Sequence, residues 1–140
     1  MTIDQVQDRI IEEMAPLEGW MQVYEYLTGL GRSLSVSQDL RREENLIGGC
    51  QSRVWFRWWL ENGKVGYQAD SDALIVKGII ALLLQVLDGR TPEEIARAEL
   101  YFLDRTGLRT HLSPARANGL EAIVTLMKEK AATLLATACS

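Results

Sequence analysis

Cys50 stands in the stretch LIGGCQSRVWF, directly after Gly48 and Gly49 and directly before an apolar run that opens at Val54. A cysteine met without other signals reads as a small buried hydrophobe. The two glycines change that reading. They open backbone conformations closed to other residues and leave space around the sulfur, which a core-filling side chain does not need and an approachable thiol does. The rest of the chain offers this thiol little help. The second cysteine, Cys139, lies beside the end of the sequence, where chains fray and an incidental thiol is the plain reading. The single histidine, His111, is not fixed near Cys50 by anything in the sequence, so a Cys-His hydrolase is unsupported. There is no C-x-x-C pair for dithiol redox chemistry. A structural zinc site, with four Cys or His ligands in paired spacings, is close to excluded, so neither a metal nor a cofactor is expected. What remains is chemistry that needs one accessible sulfur and takes its machinery from a partner.

The elements that must hold this thiol fit one domain spanning 1–140, long enough for a single hydrophobic core. The net charge of −4 and the isoelectric point near 5.0 argue against nucleic acid, whose recognition needs clustered Lys and Arg. The basic pair Arg41-Arg42 is followed at once by Glu43 and Glu44. The longest apolar stretch, 78–84, falls far short of the roughly 20 residues of a membrane span. The charged, amphipathic start MTIDQVQDRIIEEM lacks the apolar core of a secretory signal. Together with two unpaired-looking cysteines, this points to a cytoplasmic protein.

Ile3, Val6, Ile10, Ile11 and Met14 recur at helical spacing, predicting a first helix that ends near Pro16. A second helix is expected from about Glu18 to Leu30, with Gly31 as its C-terminal stop, followed by an extended connector over 32–46. VWFRWWLE and KVGYQAD flank Asn62-Gly63, the strongest short-range hairpin signal, since a type I′ turn needs φ > 0 at both central residues. If those two residues form the loop, Glu61 faces Lys64, Arg57 faces Gln68 and Arg53 faces Asp72, which brings opposite charges together on the outer face. Val54, Phe56, Trp58 and Leu60 then share a core face with Val65, Tyr67, Ala69 and Ser71. Trp55 and Trp59 point outward, against a covering helix or a partner. This register also sets Cys50 near the stretch from Asp72 to Ile75.

The run ALIVKGIIALLLQVL is apolar almost all round and reads as a buried helix, with Ser71 or Asp72 as its N-cap. TPEE opens a short helix reaching about Leu100, with Thr91 as cap, Pro92 first and Glu94 closing a capping box. Ser113-Pro114 repeats that logic and starts a last helix ending near Ala136. Helices around a small antiparallel sheet make the class α+β.

Four separated segments, GCQSRVW, ADSDALIVKGIIALLL, TPEEI and LRTHLSPARANGLEAI, resemble in order and spacing the SufE family of cysteine desulfurase activators. The resemblance runs over nearly the whole chain and is loosest in ARAELYFLDRTGL. It implies the α+β arrangement shared with NifU/IscU-type scaffolds, with the cysteine at a loop tip. It also implies a function: Cys50 takes persulfide sulfur from a SufS-type, pyridoxal-phosphate-dependent cysteine desulfurase, stimulates that enzyme, and passes the sulfur to an iron–sulfur cluster assembly scaffold. On this view the chain is a persulfide-carrying acceptor working with a separate desulfurase rather than a stand-alone enzyme. Gly49 and Gln51 flank the thiol, and Asp70, Asp72 and Arg116 match positions that could bind a partner or support the cysteine loop. Each has a plainer reading: helix capping for the aspartates, a solvated first-turn charge for Arg116, and the same ambiguity for His111. Two alternatives stay open, an allosteric activator whose cysteine is dispensable and a scaffold that builds the cluster itself. The scaffold is disfavoured by the single credible thiolate, since such sites hold clusters with several. Monomer or homodimer is also left open.

Overall fold

The computed structural model describes the backbone of residues 1–47 and 52–139, with side chains through residue 136. The helical layer begins with α1 (Ile3–Met14) and α2 (Gly19–Ser33). Thr2 and Gln5 form a reciprocal capping box at the start of α1, which buries Ile3, Val6, Ile10 and Met14. Gln7 is also fully buried there: its Nε2 donates to the Glu99 carbonyl at 3.0 Å and its Oε1 accepts the Phe102 N–H at 3.1 Å. This pins α1 to a distant segment, and nothing in the apolar pattern announced it.

Gly31 does not stop α2. The helix runs on to Ser33, and Gly31 is buried within it. Its partner is α3 (Leu74–Leu87), which crosses α2 so closely that a Cβ on Gly31 would stand 2.5 Å from the Leu74 carbonyl oxygen. A Cβ on Gly78 would stand 2.0 Å from the Leu27 carbonyl oxygen. Both glycines are therefore required by the crossing of two helices rather than by a turn. The expected extended connector is likewise more structured, with 3₁₀ turns at Gln38–Leu40 and Glu43–Asn45 and Leu40 fully buried.

The hairpin forms in the expected register. β1 (Val54–Glu61) and β2 (Lys64–Ser71) pair antiparallel from Val54 opposite Ser71 to Glu61 opposite Lys64. Asn62 at φ 55° and Gly63 at φ 77° take the left-handed conformation that the turn requires. Arg57 Nε donates to Gln68 Oε1 at 2.6 Å, as the pairing of the outer face implies.

Burial along β1 departs from strict alternation. Val54 and Phe56 are in the core, but Trp58 and Leu60 are 39% and 43% exposed. The strand outruns the helical layer, and Lys130, whose ammonium sits 4.6 Å from the Trp58 ring centre, reaches that end. On the opposite face Trp55 is buried, because the Arg41 guanidinium lies over its ring at 4.6 Å. Trp59 folds back over Gly66, where a Cβ would come within 2.2 Å of the indole.

α3 is buried almost all round, as its composition demands. Neither Ser71 nor Asp72 caps it; Ala73 occupies the cap position with no side-chain bond. Both polar side chains instead bond the backbone of Arg53 at the foot of β1. The remaining helices are α4 (Pro92–Arg97), α5 (Phe102–Arg105), α6 (Leu108–His111) and α7 (Pro114–Cys139). The Thr91–Glu94 capping box is present, and α4 ends three residues earlier than expected, while α7 runs beyond Ala136. Helices packed on an antiparallel pair make the fold α+β. No helix among the described residues is long and apolar enough to cross a membrane.

Candidate functional site

Cys50, Gly49 and Gln51 lie outside the described residues. The residues that flank them are bonded to the sheet on both sides. On one side the Ile47 N–H donates to the Val54 carbonyl at 2.9 Å, and Leu46 bridges Trp55 in antiparallel fashion. On the other, the Arg53 N–H donates to Asp72 Oδ1 at 3.1 Å, and the Asp72 N–H returns a bond to the Arg53 carbonyl at 3.3 Å. The same carbonyl accepts the Ser71 hydroxyl at 2.7 Å. Residues 47 and 53 are thus anchored to the sheet, and Asp72 contributes by holding a backbone amide rather than by pairing with the Arg53 side chain.

Beside this stem lies a cavity of about 20 Å³, enough for one water-sized group. Ser52 and Val54 line it from the stem, Val76 and Ile79 from α3, and Leu120 and Ile123 from α7. Arg116 is the one charged residue on its wall, and its Nη1 is buried without a hydrogen-bond partner among the described residues. A buried cationic donor left unpaired is costly and asks for an anion or an acceptor. Arg116 also borders a second, open groove formed with Trp20, Tyr24, Ile75 and His111. His111 stacks on Trp20 with ring centres 5.6 Å apart, so it is brought into the neighbourhood of Arg116.

Asp70 is 5% exposed and is bound from three sides. Arg41 Nε lies 2.8 Å from Oδ2, Lys77 Nζ 3.4 Å from Oδ1, and the Ser71 N–H donates to Oδ1 at 2.8 Å. Burial pushes this carboxyl up, but the Arg41 hydrogen bond, the Ser71 amide and the charges of Lys77 and Arg41 together outweigh it and hold it below the usual carboxylate value. Arg41 also donates to the Ser71 carbonyl at 3.1 Å. Asp70 therefore ties the strap carrying Arg41 to the sheet and to α3. It caps no helix.

Sequence reasoning passed over Arg41 and Lys77. For Lys77 a signal existed, since it is the only charge in the apolar run that forms α3 and a lone buried ammonium requires a counter-ion. Arg41 carried none, because its partner is distant in the chain. Among the described residues no group of three or more His, Cys, Asp or Glu side chains could hold a metal ion.

Comparison with known proteins gives three findings. The profile of the family described as "SufE: Fe-S metabolism associated domain" matches residues 8–131. An uncharacterized SufE-like protein of Synechocystis is 44% identical over 109 residues, covering 77% of this chain and 69% of its own. The solution structure of a hypothetical protein from Thermus thermophilus superposes with a TM-score of 0.74, over 94% of this chain and 96% of that one. Its sequence identity is 22%, so that likeness speaks for the fold alone.

Proposed function

Because the chain belongs to the SufE family, whose domain is associated with Fe-S metabolism, we propose that it is a cytoplasmic sulfur-transfer protein acting through Cys50. A cysteine desulfurase of the SufS type presents a persulfide. The Cys50 thiolate attacks its terminal sulfur, the donor's S–S bond breaks, and the donor leaves as a thiolate. Cys50 then bears the sulfur as its own persulfide and later yields it to an iron–sulfur scaffold. This is the displacement of thiol–disulfide exchange, which needs thiolate character and access but no metal and no cofactor on this chain.

The observation that carries the reading is the buried Nη1 of Arg116, which has no hydrogen-bond partner among the described residues, on the wall of an apolar cavity that Ser52 also lines. Covalent geometry alone keeps the Cα of Cys50 within about 7 Å of that of Ser52. An anionic sulfur at the cavity would offer that nitrogen an acceptor, while the apolar walls limit water and reductants. Asp70 and Asp72 serve the stem rather than the sulfur: one fixes the strap through Arg41 and Lys77, the other holds the Arg53 amide. Gly49 and Gln51, which flank the thiol in the sequence, are the positions from which the family resemblance implies support for the cysteine loop.

The test is intact and peptide mass spectrometry after incubation with a cysteine desulfurase and free cysteine, without reductant. One added sulfur on the Cys50 peptide, absent from Cys50→Ser, is expected. Desulfurase stimulation that survives in Cys50→Ser with no added sulfur on the native chain would replace this reading by an allosteric activator.

A further inference from the structure

The first turn of α7 brings more donors to the apolar cavity than the described residues there can accept. Pro114 has no N–H. The Arg116 N–H donates to Ser113 Oγ at 3.4 Å, and the Ala117 N–H to the Ser113 carbonyl at 2.8 Å. The N–H left over is that of Ala115, which has no hydrogen-bond partner among the described residues, and Ala115 lines the cavity. The start of a helix of 26 residues also carries partial positive charge. Arg116 lies on the same wall and makes no ion pair among the described residues, and its buried Nη1 has no hydrogen-bond partner among them. No carboxylate among the described residues lines the cavity. A full positive charge and a helix start thus meet there without a counter-ion.

We infer that this cavity is a binding site for a free, single-atom soft anion, with hydrosulfide as its natural occupant. Size sets the first limit. A volume of about 20 Å³ holds one water-sized group and shuts out sulfate, phosphate and any carboxylate-bearing molecule. Hydrogen bonding sets the second. A buried water makes about three bonds and brings two hydrogens that need acceptors, whereas Ser52 supplies the one side-chain acceptor among the described lining residues. An anion accepts from the donors already present and asks for little in return. Desolvation sets the third: walls of Val54, Val76, Ile79, Leu120 and Ile123 cannot replace a tight hydration shell, so a weakly hydrated anion is favoured over fluoride. The choice of hydrosulfide rests on the sulfur-transfer reading; the anion site itself does not. Under that reading, a free thiolate that attacks the inner sulfur of a persulfide forms an S–S bond to it and expels the terminal sulfur as hydrosulfide. Hydrosulfide held beside Arg116 then competes with the anionic sulfur of a loaded chain, so rising sulfide slows further loading.

Thermal melts of the full chain test this at fixed ionic strength, mildly alkaline pH and without oxygen, with sodium bromide, sodium hydrosulfide or sodium sulfate replacing sodium fluoride. Bromide and hydrosulfide should each raise the native melting temperature, by about 4 °C at tenfold excess over the dissociation constant. The rise should vanish in Arg116→Met and persist in Cys50→Ser, so the site is judged apart from whether Cys50 carries sulfur. Sulfate stabilises proteins by exclusion from their surface, so it should raise the native chain and Arg116→Met alike. Diffraction at the bromine absorption edge from bromide-soaked crystals needs no variant, and an anomalous peak is expected inside the cavity beside Arg116. Equal bromide shifts in the native chain and Arg116→Met, or anomalous peaks confined to the outer surface, would overturn the site. A bromide shift with no hydrosulfide shift would overturn hydrosulfide as its occupant.

Discussion

Arg41 reaches two targets with one side chain: its Nε lies 2.8 Å from Asp70 Oδ2, and its guanidinium plane covers Trp55 at 4.6 Å. One residue thereby neutralises the buried carboxylate and roofs the indole next to the stem. The strap 34–47 is held to the sheet at that point, and the position of Ile47 depends on it.

Asp70→Asn should therefore cost about 1–3 kcal/mol, the range for leaving buried charged partners unmatched, discounted because Arg41 is half exposed. The effect should depend on pH. The folded carboxyl titrates below its unfolded value of about 3.9, so the stability it contributes is fully present above that value and is lost as pH falls through the lower folded one. Urea titrations of native and variant chains should show a gap that is constant near neutrality and closes in acid. A gap independent of pH would show that the carboxylate charge is not what holds the strap.

Two helical glycines should respond oppositely to the same substitution. Gly78→Ala forces a Cβ against the Leu27 carbonyl and should destabilise by about 1–3 kcal/mol as α2 and α3 are pushed apart. Gly29→Ala meets nothing within 4 Å and should stabilise α2 by about 0.5–1 kcal/mol. Thermal melts of the two variants decide this, and equal shifts would contradict the close crossing.

Arg116→Met separates stability from chemistry. Removing a buried cationic nitrogen that has no partner among the described residues should leave the melting temperature unchanged or higher. If the guanidinium receives an anionic sulfur, loading of Cys50 by the desulfurase should slow by about tenfold or more, as expected for loss of a hydrogen bond to a charged group. Single-turnover persulfide loading followed by mass spectrometry measures it. Loading at the native rate would remove Arg116 from the transfer step.

What the sequence made legible was local. Asn62-Gly63 and the charge pairs around it sufficed for the whole register, because turn chemistry and cross-strand charge act over a few residues. The Thr91–Glu94 box was equally self-contained. Gly31 was misread for the complementary reason: a glycine near a helix end follows a local rule for stops, but its role here is set by the distant helix that crosses it at Leu74. The tryptophans went the same way. Alternation gives the face of Trp55 and Trp58, but burial depends on where Arg41 folds back and on where the helical layer ends. In the candidate site, Arg116 stands in a sequence motif, while the cavity that it borders comes from three elements and has no linear signature.

The bond from Ile47 to Val54 has a consequence for delivery. Together with the Asp72 bond to the Arg53 amide, it fixes residues 47 and 53 to the same sheet. Groups joined to one framework through short, fixed attachments meet at an effective concentration in the millimolar range or above. On the sulfur-carrier reading that is an advantage, because a recipient site that depends on attachment rather than on tight binding can surrender its cargo readily.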